Sequence, residues 1–288
     1  MTIIDIIRSE LLTVLENNPS KNIAYHNNFH MIKVAEIAAE LWKNDYSYLE
    51  IGDAWGEIAL LISAMLHDWG HSGGHETDDV NIRVACTEAE IFISGSLVSW
   101  PEVRTIITEA IQCTQFPFVR PPKNKVERVL RDADLLYTAI YGDPAVVIEH
   151  LRSEVEVSQG RSITRREMLR GQEDFLKSAV MFTPHGEKLW TEHAYLFFQS
   201  MCDYVNRLEP PVIDTCNLGH KFAKLHDHPL KDGAPRCPHC MAMGLDSIRS
   251  QKEMQLKSIL SFIDEGCDEL LIRRIWERAM RVGHNAER

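Results

Sequence analysis

The sequence lacks the long apolar runs and the excess of positive charge that would indicate a membrane or a nucleic-acid partner. No run of about eighteen consecutive apolar residues is present, so the sequence predicts no transmembrane helix. The formal net charge of −11 argues against broad electrostatic binding to extended nucleic acid or to an anionic membrane. A small anionic substrate remains compatible with this charge, because a bound metal ion can outweigh the global field locally.

Signs of secretion are also missing. Residues 1–18 carry acidic side chains among the apolar positions and show no cleavage signature, so they are not expected to form a signal peptide. The seven cysteines, an odd number, favour reduced thiols and metal ligands over a disulfide framework. The 288 residues, of which 44% are hydrophobic and 25% charged, are typical of a globular chain with a substantial core. We therefore expect a cytoplasmic protein.

Alternating β-branched segments are scarce, and apolar residues recur at helical spacing instead. Ile3, Ile7, Leu11 and Leu15 form the stripe of a first helix. Further helices are predicted over residues 31–42, 53–66, 77–93, from 101 onward, 125–141, from 144 onward, 164–181 and 187–208. The sequence therefore predicts an all-α protein.

The composition changes after Pro210-Pro211. Residues 213–245 are rich in cysteine, histidine, proline and glycine and show little periodicity. Two more helices are predicted behind them, over 246–263 and 267–280. We expect a helical domain over 1–212, a small insert over 213–245, and C-terminal helices over 246–288 that pack on the main domain.

The most informative stretch is an apolar run, residues 58–66, that ends abruptly in His67 and Asp68. Ionisable groups beside such a run are costly to bury unless they are paired or bind a metal. If this segment is helical, His67 and His71 lie four residues apart on one face. The alternative is a helix C-terminus at which histidines complement the helix dipole.

Two further segments carry similar residues. His26 and His30 also stand four apart, so a helix would project both into one cleft, although a buried histidine can simply bond a carbonyl. Asp132 and Asp134 interrupt an apolar helical stretch, where one of them could instead pair with Arg131. Two acids among leucines favour a cation nearby.

In sequence order these segments read YHNxxH at 25–30, HDxxHxG at 67–73 and ADL at 133–135. This ordered set resembles the HD superfamily of metal-dependent phosphohydrolases. Within that superfamily, the first two segments are similar to the catalytic domain of the class I cyclic-nucleotide phosphodiesterases. The resemblance covers roughly residues 20–208, and it implies an HD-type helical bundle that hydrolyses a cyclic nucleotide to a nucleoside monophosphate.

The resemblance also implies a role for each matching residue. The ligands of the first of two divalent ions (Zn, Mn, Mg or Fe) would be His30, His67, Asp68 and Asp134. Asp68 would bridge to the second ion, His71 would belong to the surrounding shell, and His26 would be the general acid; Asp132 is the reserve for Asp134. Two such ions can activate water against phosphorus. An imidazolium that protonates the leaving alkoxide contributes ~10²–10⁴-fold.

Substrate contacts are implied less strongly. Gln172 and Phe175 match a Gln-x-x-Phe segment in which the amide bonds a nucleobase and the ring stacks on it. The alternative is a helix with an exposed glutamine and a core phenylalanine. Tyr25 would contribute to the same substrate site, and the glutamate expected beside the metal ligands matches either Glu88 or Glu90.

The loop over residues 116–122, FPFVRPP, is aromatic and proline-rich. It could line the mouth of a pocket, with ordinary loop packing as the alternative.

The cysteine and histidine residues of the insert predict a separate metal site. Its four ligands of zinc-site type are Cys216, His220, Cys237 and Cys240. Four protein ligands leave no open position, so this zinc would be structural and would supply folding energy to a segment with little core. Neighbouring histidines compete as ligands, and reduced surface cysteines in a polar loop are the alternative.

The sequence thus predicts a metal-dependent phosphodiesterase for a small nucleotide, with a homodimer left open. One alternative is an HD-type hydrolase of a deoxynucleotide, an oligonucleotide or an alarmone. Another is a non-catalytic nucleotide-binding or zinc-scaffold regulator. The complete ligand set favours the enzyme, because a degenerate binder would be free to lose His26 or Asp68.

Overall fold

The computed structural model describes residues 2–46, 54–95, 101–209, 213–215 and 221–223. The chain divides into two units, Met1–Met201 and Cys202–Arg288. In the described residues of the first unit, all regular secondary structure is helical, which confirms the predicted all-α class there. No helix of the described ranges is long and apolar enough to cross a membrane.

The helices are α1 (Ile3–Glu16), α2 (Asn28–Tyr46), α3 (Ala54–Leu66), α4 (Asp78–Gly95), α5 (Pro101–Thr114), α6 (Lys125–Tyr141), α7 (Arg152–Gln159), α8 (Arg165–Ser178) and α9 (Pro184–Leu208). A π-helical turn, Val146–Leu151, precedes α7. The limits predicted for α6 match the structure. The predicted end of α8 at 181 is wrong, because Ala179 is already extended. The predicted start of α9 at 187 is also wrong, because Pro184 occupies the first helical turn that proline favours.

Helix α3 is the centre of the first unit. It packs against α1, α2, α4, α5 and α6, and the residues from Ile58 to Leu66 are buried. A helix that is apolar on every side is stable only inside such a core. Helix α3 ends at Leu66, so the next two residues, His67 and Asp68, lie inside the first unit. Helices α2 and α6 pack beside this end of α3.

The described part of the second unit comprises the end of α9 from Cys202 and two short strands. Strands β1 (Ile213–Thr215) and β2 (Lys221–Ala223) pair antiparallel, with Ile213 opposite Ala223. This hairpin lies where the sequence predicted only irregular structure, because three-residue strands are too short to show a period. The predicted zinc ligands Cys216, His220, Cys237 and Cys240 lie outside the described residues, as do the two predicted C-terminal helices.

Candidate metal centre

Four side chains from three separate segments meet at one point. The Nε2 atoms of His30 and His67 lie 3.2 Å apart. Asp68 Oδ2 is 3.0 Å from the first of these nitrogens and 3.1 Å from the second. Asp134 Oδ1 is 3.3 Å and 3.6 Å from the same two atoms. Atoms that share one divalent ion at about 2.1 Å lie about 3–3.5 Å apart. His30, His67 and Asp134 form a group that could hold a metal ion, and Asp68 lies beside both imidazoles.

Three mutually packed helices bring these residues together. His30 lies in the first turn of α2, His67 and Asp68 follow the end of α3, and Asp134 lies in the middle of α6. Helix α3 ends at Leu66, so His67 and His71 do not lie four apart on one helical face. The chain turns after Leu66, and Gly70 adopts a φ of +73°, a conformation that favours glycine.

Both imidazoles point their Nε2 atoms toward the two carboxylates. His67 Nδ1 lies 2.9 Å from the carbonyl oxygen of Ala64, which can only accept, so Nδ1 carries the proton. His67 Nε2 therefore faces the carboxylates and is the atom that a proton or a cation can occupy. His30 is 1% exposed, and its Nδ1 is buried without a hydrogen-bond partner among the described residues. Two buried imidazoles beside two carboxylates form a donor set that fits a divalent ion.

The charges of the cluster stabilise its carboxylates. Burial alone would raise the pKa of Asp68, but the charges of His67 and His26 outweigh it and hold this pKa well below its usual range. Burial alone would also raise the pKa of Asp134, but hydrogen bonds from His30 and His67 outweigh this effect and lower the pKa. Burial disfavours the charged form of His67, yet the charge of Asp68 raises its pKa well above the usual value. A cation binding here therefore competes with a proton.

A second cluster adjoins the first and is formed by His26, His71 and Glu154. Glu154 Oε2 lies 2.6 Å from His26 Nδ1. Its Oε1 accepts the backbone N–H groups of Tyr25 at 2.6 Å and His26 at 3.3 Å. The rings of His26 and His71 stack with centroids 3.9 Å apart, and the His26 ring is 5.7 Å from that of His30. This cluster could also hold a metal ion, but its hydrogen bonds already occupy the Nδ1 atoms.

The pKa values of His26 and His71 are shifted in opposite directions. Burial lowers the pKa of His26, but the charge of Asp68 and the hydrogen bond that His26 donates to Glu154 outweigh it, so the net pKa is raised. Burial and the neighbouring charge of His26 lower the pKa of His71 to about 4. The N–H of Gly73 donates to His71 Nδ1 at 3.1 Å, which requires that this nitrogen is unprotonated. A ring with a raised pKa, His26, thus lies against a ring with a lowered pKa, His71, so the two favour opposite protonation states.

His26 does not share a helix with His30, and that prediction is wrong. Helix α2 begins at Asn28, because Asn27 caps it: its Oδ1 accepts the N–H groups of Phe29 at 2.9 Å and His30 at 3.2 Å. His26 therefore lies in the preceding turn, where Glu154 fixes it.

Glu154 is the residue that sequence reasoning missed. The candidates Glu88 and Glu90 lie on α4 and belong to neither cluster. Glu154 lies in α7, beyond the π-helical turn, among other acids with no distinguishing pattern. One signal was available, namely Gly74, whose φ is +92° and whose added Cβ would come within 2.2 Å of the Glu154 carbonyl oxygen. The glycine allows this close approach.

Only one of the two aspartates of α6 faces the metal ligands. Residues two apart on a helix point to different sides, so Asp132 faces away from Asp134. Asp132 is fully buried and accepts the N–H of Phe182 and both the N–H and the hydroxyl of Thr183 at 2.8–3.0 Å. Burial raises its pKa to about 6, against these hydrogen bonds. Asp132 therefore fixes the segment that leads into α9.

The predicted substrate contacts have different environments. The buried ring of Tyr25 packs on those of His26 and His30, so it supports the site from inside. Gln172 and Phe175 are half-buried on α8, three residues apart. The Phe175 ring meets Phe116 edge to face, with centroids 5.9 Å apart. Their contact with a base stays a prediction.

No protein-family model matches the chain, and a search of curated proteins finds no match. What the geometry supports directly is a helical body with two adjoining clusters of histidine and acidic side chains, each of which could hold a metal ion.

Proposed function

We propose that this chain is a metal-dependent phosphohydrolase of the HD type that opens a cyclic nucleotide to a nucleoside monophosphate. The observation that carries the proposal is the meeting of His30, His67, Asp68 and Asp134, in which one oxygen of each carboxylate lies 3.0–3.6 Å from both imidazole Nε2 atoms. A divalent ion bound there supplies a Lewis acid for the phosphoryl oxygen and acidifies a bound water.

The protein contributes a pre-organised ligand set with two buried imidazoles. His30 and His67 are each 1% exposed, and the tautomer of His67 is fixed by Ala64. Such fixed partners orient an imidazole toward a metal. Asp68 Oδ2 lies within 3.1 Å of both imidazoles, so Asp68 would hold a metal ion together with them, and it is the carboxylate that we propose would also serve a second ion.

His26 is the proposed general acid. Glu154 binds its Nδ1 and favours the imidazolium, which leaves the Nε2–H as its other donor. Opening a cyclic phosphodiester releases an alkoxide that needs a proton. The neutral ring of His71 packs on His26 and helps to orient it without competing for the positive charge.

The test is a panel of cyclic and linear nucleotides, including deoxynucleotides, cyclic dinucleotides and an alarmone, incubated with Mn²⁺, Mg²⁺ or Zn²⁺. Phosphorus NMR identifies the product, and Asp68→Ala is the matched control. We expect a cyclic mononucleotide to be converted to a monophosphate by the wild-type protein only. If only a different nucleotide of the panel is hydrolysed, the substrate assignment is wrong. If no nucleotide is hydrolysed, the protein is not the proposed phosphohydrolase.

A further inference from the structure

The loop between α5 and α6 presents aromatic rings at the surface. We call Phe116 and Phe118 of this loop, together with Phe175 of α8, the aromatic cluster. The Phe116 ring meets Phe118 edge to face at 5.4 Å and Phe175 at 5.9 Å between centroids. Phe116 is 54% exposed and Phe118 is 38% exposed. At such exposure, part of each ring is open to a ligand.

Buried charged groups hold this loop in place. Arg131 Nε donates to the carbonyl oxygen of Cys113 at 2.9 Å, and Nη2 donates to the same oxygen. Arg131 Nη1 donates to the carbonyl oxygen of Arg120 at 2.9 Å. The Phe118 ring covers the Arg131 guanidinium, with 4.0 Å between the Arg131 Cζ atom and the ring centroid. The fully buried Glu127 in turn accepts from Arg120. The rings are therefore fixed before any ligand arrives, which lowers the entropic cost of binding.

The aromatic cluster borders the candidate metal centre. Arg131 and Asp134 stand three apart on α6 and are neighbours on the helix surface, so Phe118 covers the guanidinium of a residue one helical turn from a proposed metal ligand. On the other side, the N–H of Phe116 donates to Asp78 Oδ2 at 2.6 Å. Burial raises the pKa of Asp78, and the charges of Asp68 and Asp134 add to this rise, so Asp78 lies within their reach.

We infer that Phe116, supported by Phe118 and Phe175, is the stacking surface for a nucleobase whose phosphate lies at the metal centre. This inference rests on the proposed function and adds the means by which the base is held. Phe116 and Phe175 meet edge to face, so they are not two parallel walls, and the base stacks on the open part of Phe116. Stacking on a ring requires a planar partner and is tolerant of which base it is.

The experiment measures binding and not turnover. Isothermal titration of the Mn²⁺-loaded protein compares adenosine 5′-monophosphate with ribose 5-phosphate, which carries the same phosphate without a base. We expect the nucleotide to bind at least about tenfold more tightly. Phe116→Ala should lose most of this difference, whereas Phe116→Tyr should keep it. Phe116→Leu, which retains apolar volume without a ring, repeats the test if the alanine variant folds poorly.

Leu196→Ala is the control, because Leu196 is 61% exposed on α9 and belongs neither to the aromatic cluster nor to the two clusters of histidine and acidic side chains. Equal affinity of the wild-type protein for the two compounds, binding of neither, or an unchanged preference in Phe116→Ala and Phe116→Leu would overturn the inference. Failure of the proposed function is seen separately. In that case the nucleotide panel shows no hydrolysis, even if the preference for the base is present and depends on Phe116.

Discussion

Glu154 Oε2 lies 2.6 Å from His26 Nδ1, although the two residues are 128 positions apart in the chain. Burial raises the pKa of the Glu154 carboxyl, but the hydrogen bond and the charge of His26 outweigh this and lower it. The lowered pKa of Glu154 and the raised pKa of His26 both favour the charged pair of carboxylate and imidazolium. It joins α7 to the turn before α2 and orients the proposed acid beside the metal ligands.

Glu154→Gln should shift the pH dependence of turnover. The raised pKa of His26 keeps its acidic form present to higher pH, and Glu154 contributes to that rise. Without the carboxylate, the pKa of His26 falls, so the loss of kcat on the alkaline side should begin at lower pH. A pH–rate profile measures this shift. Glu156→Gln, on the same helix but paired with Arg152, is the control. An unshifted alkaline limb would exclude the positioning role of Glu154.

His26→Ala and Asp68→Ala should separate acid catalysis from metal binding. His26→Ala should retain its metal and lose about 10²–10⁴-fold in kcat, because only the proton donor is removed. Asp68→Ala should lose both metal and turnover, because this carboxylate lies within 3.1 Å of both imidazoles. Metal analysis and kinetics on the same preparations measure the two effects. Undiminished turnover in His26→Ala would remove it as the acid.

Alanine variants of Asp132 and Asp134 should have opposite effects. Asp134→Ala should lose metal, because its Oδ1 faces both imidazoles. Asp132→Ala should retain metal and be destabilised by about 1–3 kcal/mol, because donors of Phe182 and Thr183 lose their acceptor. Denaturant unfolding and metal content measure both. Loss of metal in Asp132→Ala with full binding in Asp134→Ala would reverse the assignment.

Metal removal should lower the stability of the folded protein in a pH-dependent way. An ion present at about 100 times its Kd stabilises by about 2.7 kcal/mol, so a chelator should lower the Tm. Since the metal needs neutral imidazoles and the pKa of His67 is raised, protons compete increasingly as the pH falls. The Tm difference with and without chelator should shrink between pH 8 and pH 5. Asp68→Ala should show little difference at either pH, and a pH-independent difference in the wild-type protein would contradict this linkage.

The predicted structural zinc is tested by Cys237→Ser. Wild-type protein should contain one zinc more per chain than the variant, and turnover by the variant should remain, since the proposed catalytic residues lie elsewhere. Mass spectrometry under native conditions counts the ions. Identical zinc content in both proteins would mean that Cys237 is not a ligand.

Much of the first unit could be predicted from the sequence, because its helices have strong apolar periodicity. The limits of α6 follow from Asn124 as N-cap and Gly142 after its end. The resemblance of the three motifs to the HD superfamily grouped His30, His67, Asp68 and Asp134 as expected ligands, and the structure brings these four side chains together.

Predictions failed where local turn chemistry competes with helical spacing. The four-residue intervals between His26 and His30 and between His67 and His71 indicated helices. Asn27 instead caps α2, so this helix begins only after His26. Helix α3 ends at Leu66, before His67. Glu154 could not be predicted, because its contact with His26 depends on how α7 packs and not on any local pattern. The aromatic loop near residue 116 could be noticed, but its place beside α8 is a tertiary feature.

The most direct measurement is hydrolysis of 3′,5′-cyclic AMP in H₂¹⁸O by protein of known metal content. The account predicts a monophosphate with one ¹⁸O on phosphorus, formed in proportion to bound metal by the wild-type protein and not by Asp68→Ala. Fully metal-loaded wild-type protein that leaves this substrate and every other nucleotide of the panel unchanged would contradict it.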